Sequence, residues 1–263
     1  MKIDFFDTNL VYLVEMMDSA SAGVMQIYQG KQIESWEKED RSALTAADLL
    51  SNEIIVEALQ KKWPNIPILS EESVNQFQAK QYVPQYWAVD PLDGTKEFIK
   101  KNGEFTVNVA LIEEGKPTIG LLAAPAQSLL YIGIMGDGAR IREKGIWSNL
   151  PAITRCNLDN RFAALRVAVS RSHPSPELNT WLKNFSNHVA TPMGSSLKFC
   201  LIAQGLADCY PRFGPTCIWD TAAADAILRS LGGAIVQWPI EVSQKALDYA
   251  FPANHLNPSF IAF

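Results

Sequence analysis

Asp90-Pro91-Leu92-Asp93-Gly94-Thr95 follows the apolar and aromatic run Tyr86-Trp87-Ala88-Val89 and precedes Lys96-Glu97-Phe98-Ile99. The first run reads as the end of a buried strand, and the last can begin a helix. Two carboxylates three positions apart thus stand where a strand stops and a helix starts. Pro91 stiffens the turn and removes one backbone donor, and Gly94 permits close backbone approach. A helix N-terminus offers unpaired N–H groups and the positive end of the helix dipole, both of which attract anions. One short loop can therefore present oxygen ligands to a divalent cation beside a seat for phosphate. The same residues also fit an ordinary strand-to-helix turn in which Asp93 caps the helix.

The rest of the chain bounds these two readings. Its 263 residues suit one large domain or two compact subdomains, and 48% hydrophobic against 19% charged residues indicates a sizeable core. A net charge of -5 and a pI near 5.3 disfavour a nucleic acid polymer or an anionic membrane as partner. A polyanionic small-molecule substrate then needs local positive charge. Cys156, Cys200, Cys209 and Cys217 show no C-x-x-C spacing and read as free thiols of a reducing cytosol. His173, His188 and His255 lack zinc-site spacing, so a metal site here would be carboxylate-rich and suit magnesium. Met1-Lys2-Ile3-Asp4 does not read as a secretory signal. The apolar window 118–135 is interrupted by Pro125, Gln127 and Ser128, so it reads as two strands and not a transmembrane segment. The expected location is the cytoplasm; peripheral attachment to the inner face of the cell membrane and a homodimer are left open.

Along the chain, residues 4–28 have helical spacing of apolar residues, and 31–44 read as a strand end plus a mobile loop. Thr45 followed by Asp48 fits a capping box opening a helix that stops before Pro64. A short strand at 66–69 leads into Ser70-Glu71-Glu72-Ser73. Strands at 105–112, 119–123, 129–134 and 138–141 read as an antiparallel meander. Composition changes over 148–160. Beyond it come a strand at 165–169, helices at 176–185 and 195–204, a strand at 208–210, a helix at 221–231 and a strand at 234–236. The layout predicts an α+β half, 1–150, and an α/β half, 151–263, with a site between them.

Acids stand at element ends in four places: Asp48, Glu71-Glu72, Asp90 with Asp93, and Asp220. Asp48 and Asp220 also read as helix caps, and Glu71-Glu72 as a solvated pair. Such junctions can converge on one crevice of a layered fold, where a few carboxylates share magnesium ions with a substrate phosphate.

Glu71-Glu72, Asp90-Pro91-Leu92-Asp93-Gly94-Thr95 and Trp219-Asp220-Thr221-Ala222-Ala223 resemble the signatures of the lithium-sensitive, magnesium-dependent inositol monophosphatase superfamily. Within it, the run continuing through Lys96-Glu97-Phe98-Ile99 is similar to the CysQ-type 3'(2'),5'-bisphosphate nucleotidases. So are Asn102-Gly103-Glu104-Phe105-Thr106-Val107-Asn108, Ser170-Arg171-Ser172-His173, Gly194-Ser195-Ser196-Leu197-Lys198-Phe199-Cys200 and Tyr210-Pro211-Arg212-Phe213-Gly214-Pro215-Thr216.

The resemblance implies a layered α-β-α-β-α sandwich of the sugar-phosphatase type with its active site between the halves. Glu71, Asp90, the Leu92 carbonyl, Asp93 and Asp220 would hold two or three magnesium ions. Thr95, paired with Asp48, would orient and help deprotonate the attacking water, with Asp93 beside them in the catalytic set. Glu71, Leu92, Asp93, Gly94, Thr95 and Asp220 would also meet the substrate, the Gly94 and Thr95 N–H groups receiving the scissile phosphate. Ser195, Lys198 and Arg212 would read the nucleotide, with Ser170 lining the same cleft. Lys198 and Arg212 supply the positive charge the acidic chain otherwise lacks; without the resemblance they read as surface charge. The 145–151 connection and Cys217 receive no role. The implied reaction is hydrolysis of the 3'-phosphate of adenosine 3',5'-bisphosphate to AMP and phosphate, with 3'-phosphoadenylyl sulfate as a second substrate. The alternatives are an inositol or sugar monophosphatase on the same scaffold and a catalytically silent nucleotide sensor.

Overall fold

The computed structural model describes residues 7–30, 35–37, 43–77, 82–160, 164–172, 175–240, 244–250 and 255–263. The first residues of the expected 4–28 helix, most of the 31–44 stretch and His173 lie outside the described residues.

Asp7 opens α1 (Thr8–Tyr28) by accepting from the Asn9 N–H at 2.7 Å. A short antiparallel pair, β1 (Ser35–Glu37) and β2 (Ala43–Thr45), leads to α2 (Ala46–Lys62), which packs against α1. A seven-stranded sheet follows in chain order: β3 (Ile68–Ser70), β4 (Gln85–Asp93), β5 (Thr106–Glu113), β6 (Lys116–Ala124), β7 (Leu129–Ile134), β8 (Gly138–Glu143) and β9 (Ile146–Asn149). Only the β3–β4 pair is parallel. The meander therefore matches its expectation and adds one strand: the unassigned 145–151 connection supplies β9, a fully exposed sheet edge.

The second half contributes β10 (Leu165–Ser170) parallel to β11 (His188–Met193), and a three-stranded sheet ordered β12 (Tyr210–Arg212), β14 (Phe260–Ala262), β13 (Ile235–Gln237). A parallel bridge from Val167 to Cys209 links these sheets. Two strands escaped sequence reading. β11 is mostly exposed and carries no apolar alternation, and β14 is three residues long with both partners distant in the chain. The expected strand at 208–210 is displaced to β12.

Alternation along the strands splits the interior in two. Trp87, Val89, Val109, Leu111 and Leu121 face α1 and α2. Tyr86, Ala88, Ala110, Ile112 and Leu122 face the opposite side. There they meet α5 (Leu197–Ala203) and α6 (Ile218–Ser230). A third cluster joins β10 to α4 (Pro176–Leu182) through Val167, Leu178 and Trp181. The stacking is the expected layered α-β-α-β-α sandwich. α6 lies directly on the large sheet because Gly120 and Gly133 present no side chain: a Cβ on Gly120 would stand 2.1 Å from the Ala223 carbonyl oxygen. That close seat brings the α6 N-terminus, with Asp220, to the end of β4. Among the described residues no helix is long and apolar enough to cross a membrane.

The opening motif differs from its expected form. β4 does not stop at Val89 but runs to Asp93, with an irregularity in pairing to β5 between Asp90 and Asp93. Pro91 is accommodated at that irregularity, where no regular ladder bond is required. Gly94, at φ 92°, is the residue that caps α3 (Thr95–Ile99), so Asp93 is not a helix cap.

Candidate active site

Asp48 sits at the third position of α2. Its Oδ2 accepts from the Thr45 N–H at 2.8 Å and the Thr45 hydroxyl at 2.6 Å, and its Oδ1 accepts from the Thr95 hydroxyl at 3.1 Å. The capping reading and the pairing with Thr95 are therefore both present, one on each oxygen. The Thr95 hydroxyl also lies 3.3 Å from the Leu92 carbonyl. Burial raises the Asp48 pKa above the usual carboxylate value, and its hydrogen bonds offset part of that rise.

Asp90 is 1% exposed at the irregular end of β4, and one oxygen accepts from the Leu92 N–H at 3.1 Å. Burial first, then the neighbouring Glu71, Asp93, Asp220 and Asp48 charges, push its pKa well above the usual range. Asp220 is not the α6 cap. Cys217 holds that position, and Asp220, three residues on, accepts from the Cys217 N–H at 2.7 Å in a capping box. Cys217, unassigned from sequence, thus frames Asp220. Burial and the nearby Asp93 push Asp220 up to about 8, against the Cys217 N–H bond and a hydrogen bond shared with Asp90. Glu71 begins a 3-10 turn (Glu71–Gln76) directly after β3. Asp93 accepts from the Ser196 hydroxyl at 2.7 Å. Among the described residues, no three His, Cys, Asp or Glu side chains close round a single point as a finished metal cage. The acids converge electrostatically, while hydrogen bonds aim Asp93 at Ser196 and Asp220 at Cys217.

A cavity of about 530 Å³ joins this acidic end to the second half. Glu71, Asp93, Gly94, Thr95 and Asp220 line one end, and Ser170, Ser195, Lys198, Tyr210 and Arg212 line the other. A second opening, lined by Asp90 and Leu92 as well, reaches the acids from the other side. Lys198 is not surface charge: it is 6% exposed, its ammonium donates to the Ser195 carbonyl and, at 3.4 Å, to that of Met193, and it lies over the Tyr210 ring at 5.2 Å. Burial lowers its pKa to about 8. Arg212 is half-buried and donates to the Pro215 carbonyl at 3.0 Å. The expected 195–204 helix begins only at Leu197: Ser195 takes a left-handed turn at φ 46° and stays at the cavity wall.

Among the cavity residues that the sequence reading missed are Ser196 and Glu97. Ser196, bonded to Asp93, also lies 2.9 Å from the Asp220 carbonyl and accepts from Asn108 at 3.1 Å. Glu97 is a buried acid on the cavity wall. Both lie in runs quoted for the resemblance, Lys96-Glu97-Phe98-Ile99 and Gly194-Ser195-Ser196, but no spacing singles out either residue.

The model of the inositol monophosphatase family matches residues 8–255. The chain belongs to the inositol monophosphatase family. Within it, a protein of Salmonella typhimurium strain LT2 named 3'(2'),5'-bisphosphate nucleotidase CysQ is 43% identical over 252 residues, covering 95% of this chain and 98% of the relative. The Escherichia coli K12 protein of the same name is 42% identical over 247 residues, covering 94% and 96%. The crystal structure of CysQ from Bacteroides thetaiotaomicron, a bacterial member of the family, superposes with a TM-score of 0.79 at 35% identity and covers 98% of this chain and 97% of that one. Most of the signatures read in the sequence, the 102–108 run excepted, contribute residues to the cavity wall.

Proposed function

We propose that the chain is a 3'(2'),5'-bisphosphate nucleotidase, an enzyme that removes the 3'-phosphate of adenosine 3',5'-bisphosphate to leave AMP and inorganic phosphate. 3'-Phosphoadenylyl sulfate, the analogue that carries a sulfate on its 5'-phosphate, is a second substrate in this reading. The observation that carries this reading is the single cavity with carboxylates at one end and Lys198 and Arg212 at the other. A monophosphate of an uncharged sugar needs no second anion site; a nucleotide bisphosphate does. The 41–43% identical relatives that bear the nucleotidase name support the same assignment.

The donor set suits a hard divalent cation, being all oxygen, with Asp90 buried, the other acids half-buried, and all set against like charge. Glu71, Asp90, the Leu92 carbonyl, Asp93 and Asp220 would hold two or three magnesium ions. Magnesium supplies Lewis acidity toward the phosphoryl group and neutralises charge on it. The chain's own groups do the remaining work. Thr95, oriented by Asp48, accepts a hydrogen bond from the attacking water, and the proton passes to this pair; the raised Asp48 pKa makes it a better base than a solvated carboxylate. The N–H groups of Gly94 and Thr95 meet the scissile phosphate. A water held by Asp220 protonates the departing ribose oxygen. Lys198 and Arg212 bind the remote anion, and Ser195 with Ser170 lines the path between the two ends. Residues 1–150 thus carry most of the cation ligands, and 151–263 read the nucleotide. The reading is of a cytoplasmic enzyme acting on a small molecule.

The test is a direct comparison of adenosine 3',5'-bisphosphate and inositol 1-phosphate, at equal concentration with magnesium. Faster release of phosphate from the nucleotide is expected; faster turnover of the inositol ester overturns the assignment.

A further inference from the structure

We propose that Glu104 and Arg171 form a positioning latch that sets where the substrate's nucleotide end sits relative to the reacting phosphate. The inference rests on the nucleotidase reading. Glu104 lies in the connection between α3 and β5, in the half that carries most of the acids. Arg171 lies just past β10, in the other half. One edge of the Arg171 guanidinium meets both oxygens of the Glu104 carboxylate, Nε donating at 2.6 Å and Nη2 at 2.7 Å. It also donates to the Pro192 carbonyl at 2.8 Å, and its backbone N–H donates to the Met193 carbonyl at 3.3 Å. The same Glu104 carboxylate accepts from the Gly194 N–H at 2.7 Å. One acid of the first half therefore holds the 192–194 segment at Gly194 directly and at Pro192 through Arg171.

That segment leads straight to the residues proposed to read the nucleotide. Gly194 rests against the first half so closely that a Cβ would stand 2.8 Å from the Glu104 carbonyl oxygen and from Glu97 Cγ. Ser195 follows with its left-handed turn and packs on Gly94; Ser196 bonds Asp93; Lys198 donates back to the Met193 and Ser195 carbonyls. Next to Arg171, Ser172 donates to the buried Glu97 on the cavity wall. Arg171 and Ser172 thus bind two acids at the opening motif, Glu104 in the connection after α3 and Glu97 within α3 itself.

Arg171 is 44% exposed and Glu104 16%, so solvent screens the pair from the arginine side and its contribution to stability is modest. What a bidentate guanidinium fork does supply is a defined geometry. The latch also gives a role to residues of two runs that the proposed chemistry uses little or not at all. Asn102 through Asn108 holds its acid, and Ser170-Arg171-Ser172 holds its base.

The test compares adenosine 3',5'-bisphosphate with p-nitrophenyl phosphate, a short ester that reaches only the acidic end, in the magnesium-loaded full chain. Arg171→Ala and Glu104→Ala should raise KM for the bisphosphate about tenfold with kcat within about threefold, while KM for the short ester stays within about twofold. Glu104→Gln should recover part of the loss, because its amide oxygen still accepts from the Gly194 N–H. Equal changes in the two KM values, or a common fall in kcat with both esters, would overturn the latch and leave the nucleotidase reading standing. Wild-type protein that hydrolyses the short ester but not the bisphosphate would overturn both.

Discussion

The Thr95 hydroxyl donates to one oxygen of Asp48 at 3.1 Å, while the other oxygen of that carboxylate closes the cap of α2. The group proposed to activate water is thereby anchored to a helix terminus and not to a mobile side chain. Thr95→Ala should lower kcat with adenosine 3',5'-bisphosphate about a hundredfold with little change in melting temperature. Thr95→Ser, which keeps the hydroxyl, should retain most of the rate. Asp48→Ala should lose rate and also about 1 kcal/mol of folding stability, because it removes one arm of the capping box and leaves the Thr45 N–H without its carboxylate acceptor. A Thr95→Ala enzyme within a few-fold of wild type would remove Thr95 from the mechanism.

Asp90 is buried among other acids, which penalises its ionised form, and the proposed cation would relieve that penalty. In chelator, Asp90→Asn should melt no lower than wild type. Wild type at a magnesium concentration a hundred times its Kd should gain about 2.7 kcal/mol, and the variant much less. Thermal melts across a magnesium titration measure both. An undiminished gain in Asp90→Asn would exclude Asp90 as a ligand.

Lys198 has a folded-state pKa of about 8, below its ordinary value of 10.5. Between these values the unfolded chain holds a proton that the folded chain has released, so this residue makes stability rise with pH across that window. Its cationic form is the one that attracts substrate, so kcat/KM for the bisphosphate should fall as pH rises through about 8. Lys198→Met should start from a raised KM at pH 7 and lose that limb of the profile. A variant profile that still falls at the same pH would assign the limb elsewhere.

Gly120 lets α6 touch the sheet, with the position of its absent Cβ 2.1 Å from the Ala223 carbonyl oxygen. Gly120→Ala should cost about 3 kcal/mol or more, since the clash is with backbone that no rotamer can relieve. Urea unfolding measures it. Because α6 carries Asp220, the folded fraction should also need more magnesium for half-maximal activity. A neutral effect on both would mean that α6 can shift without disturbing the site.

Much of the scaffold was legible. The meander from β5 to β8 announces itself through apolar runs broken by turn residues, and Thr45 with Asp48 marks the start of α2. The extension of β4 past Pro91 was not legible, because proline ordinarily argues against a strand and only the pairing irregularity opposite Asn108 and Thr106 accommodates it. Neither was β14, whose partners β12 and β13 lie far back in the chain.

By itself the sequence determined the chemical inventory: the acids at element ends, the hydroxyl of Thr95 and the family to which their order belongs. Caps, turns and periodicities are local, and local rules read them. Only the tertiary structure decided how those residues are used. It placed Asp48 on a cap and on Thr95 at once, drew Lys198 out of solvent into the cavity wall, and joined Glu104 to Arg171 across the two halves. These outcomes depend on burial and on contacts between residues dozens of positions apart, which packing of the layers sets and local spacing does not encode.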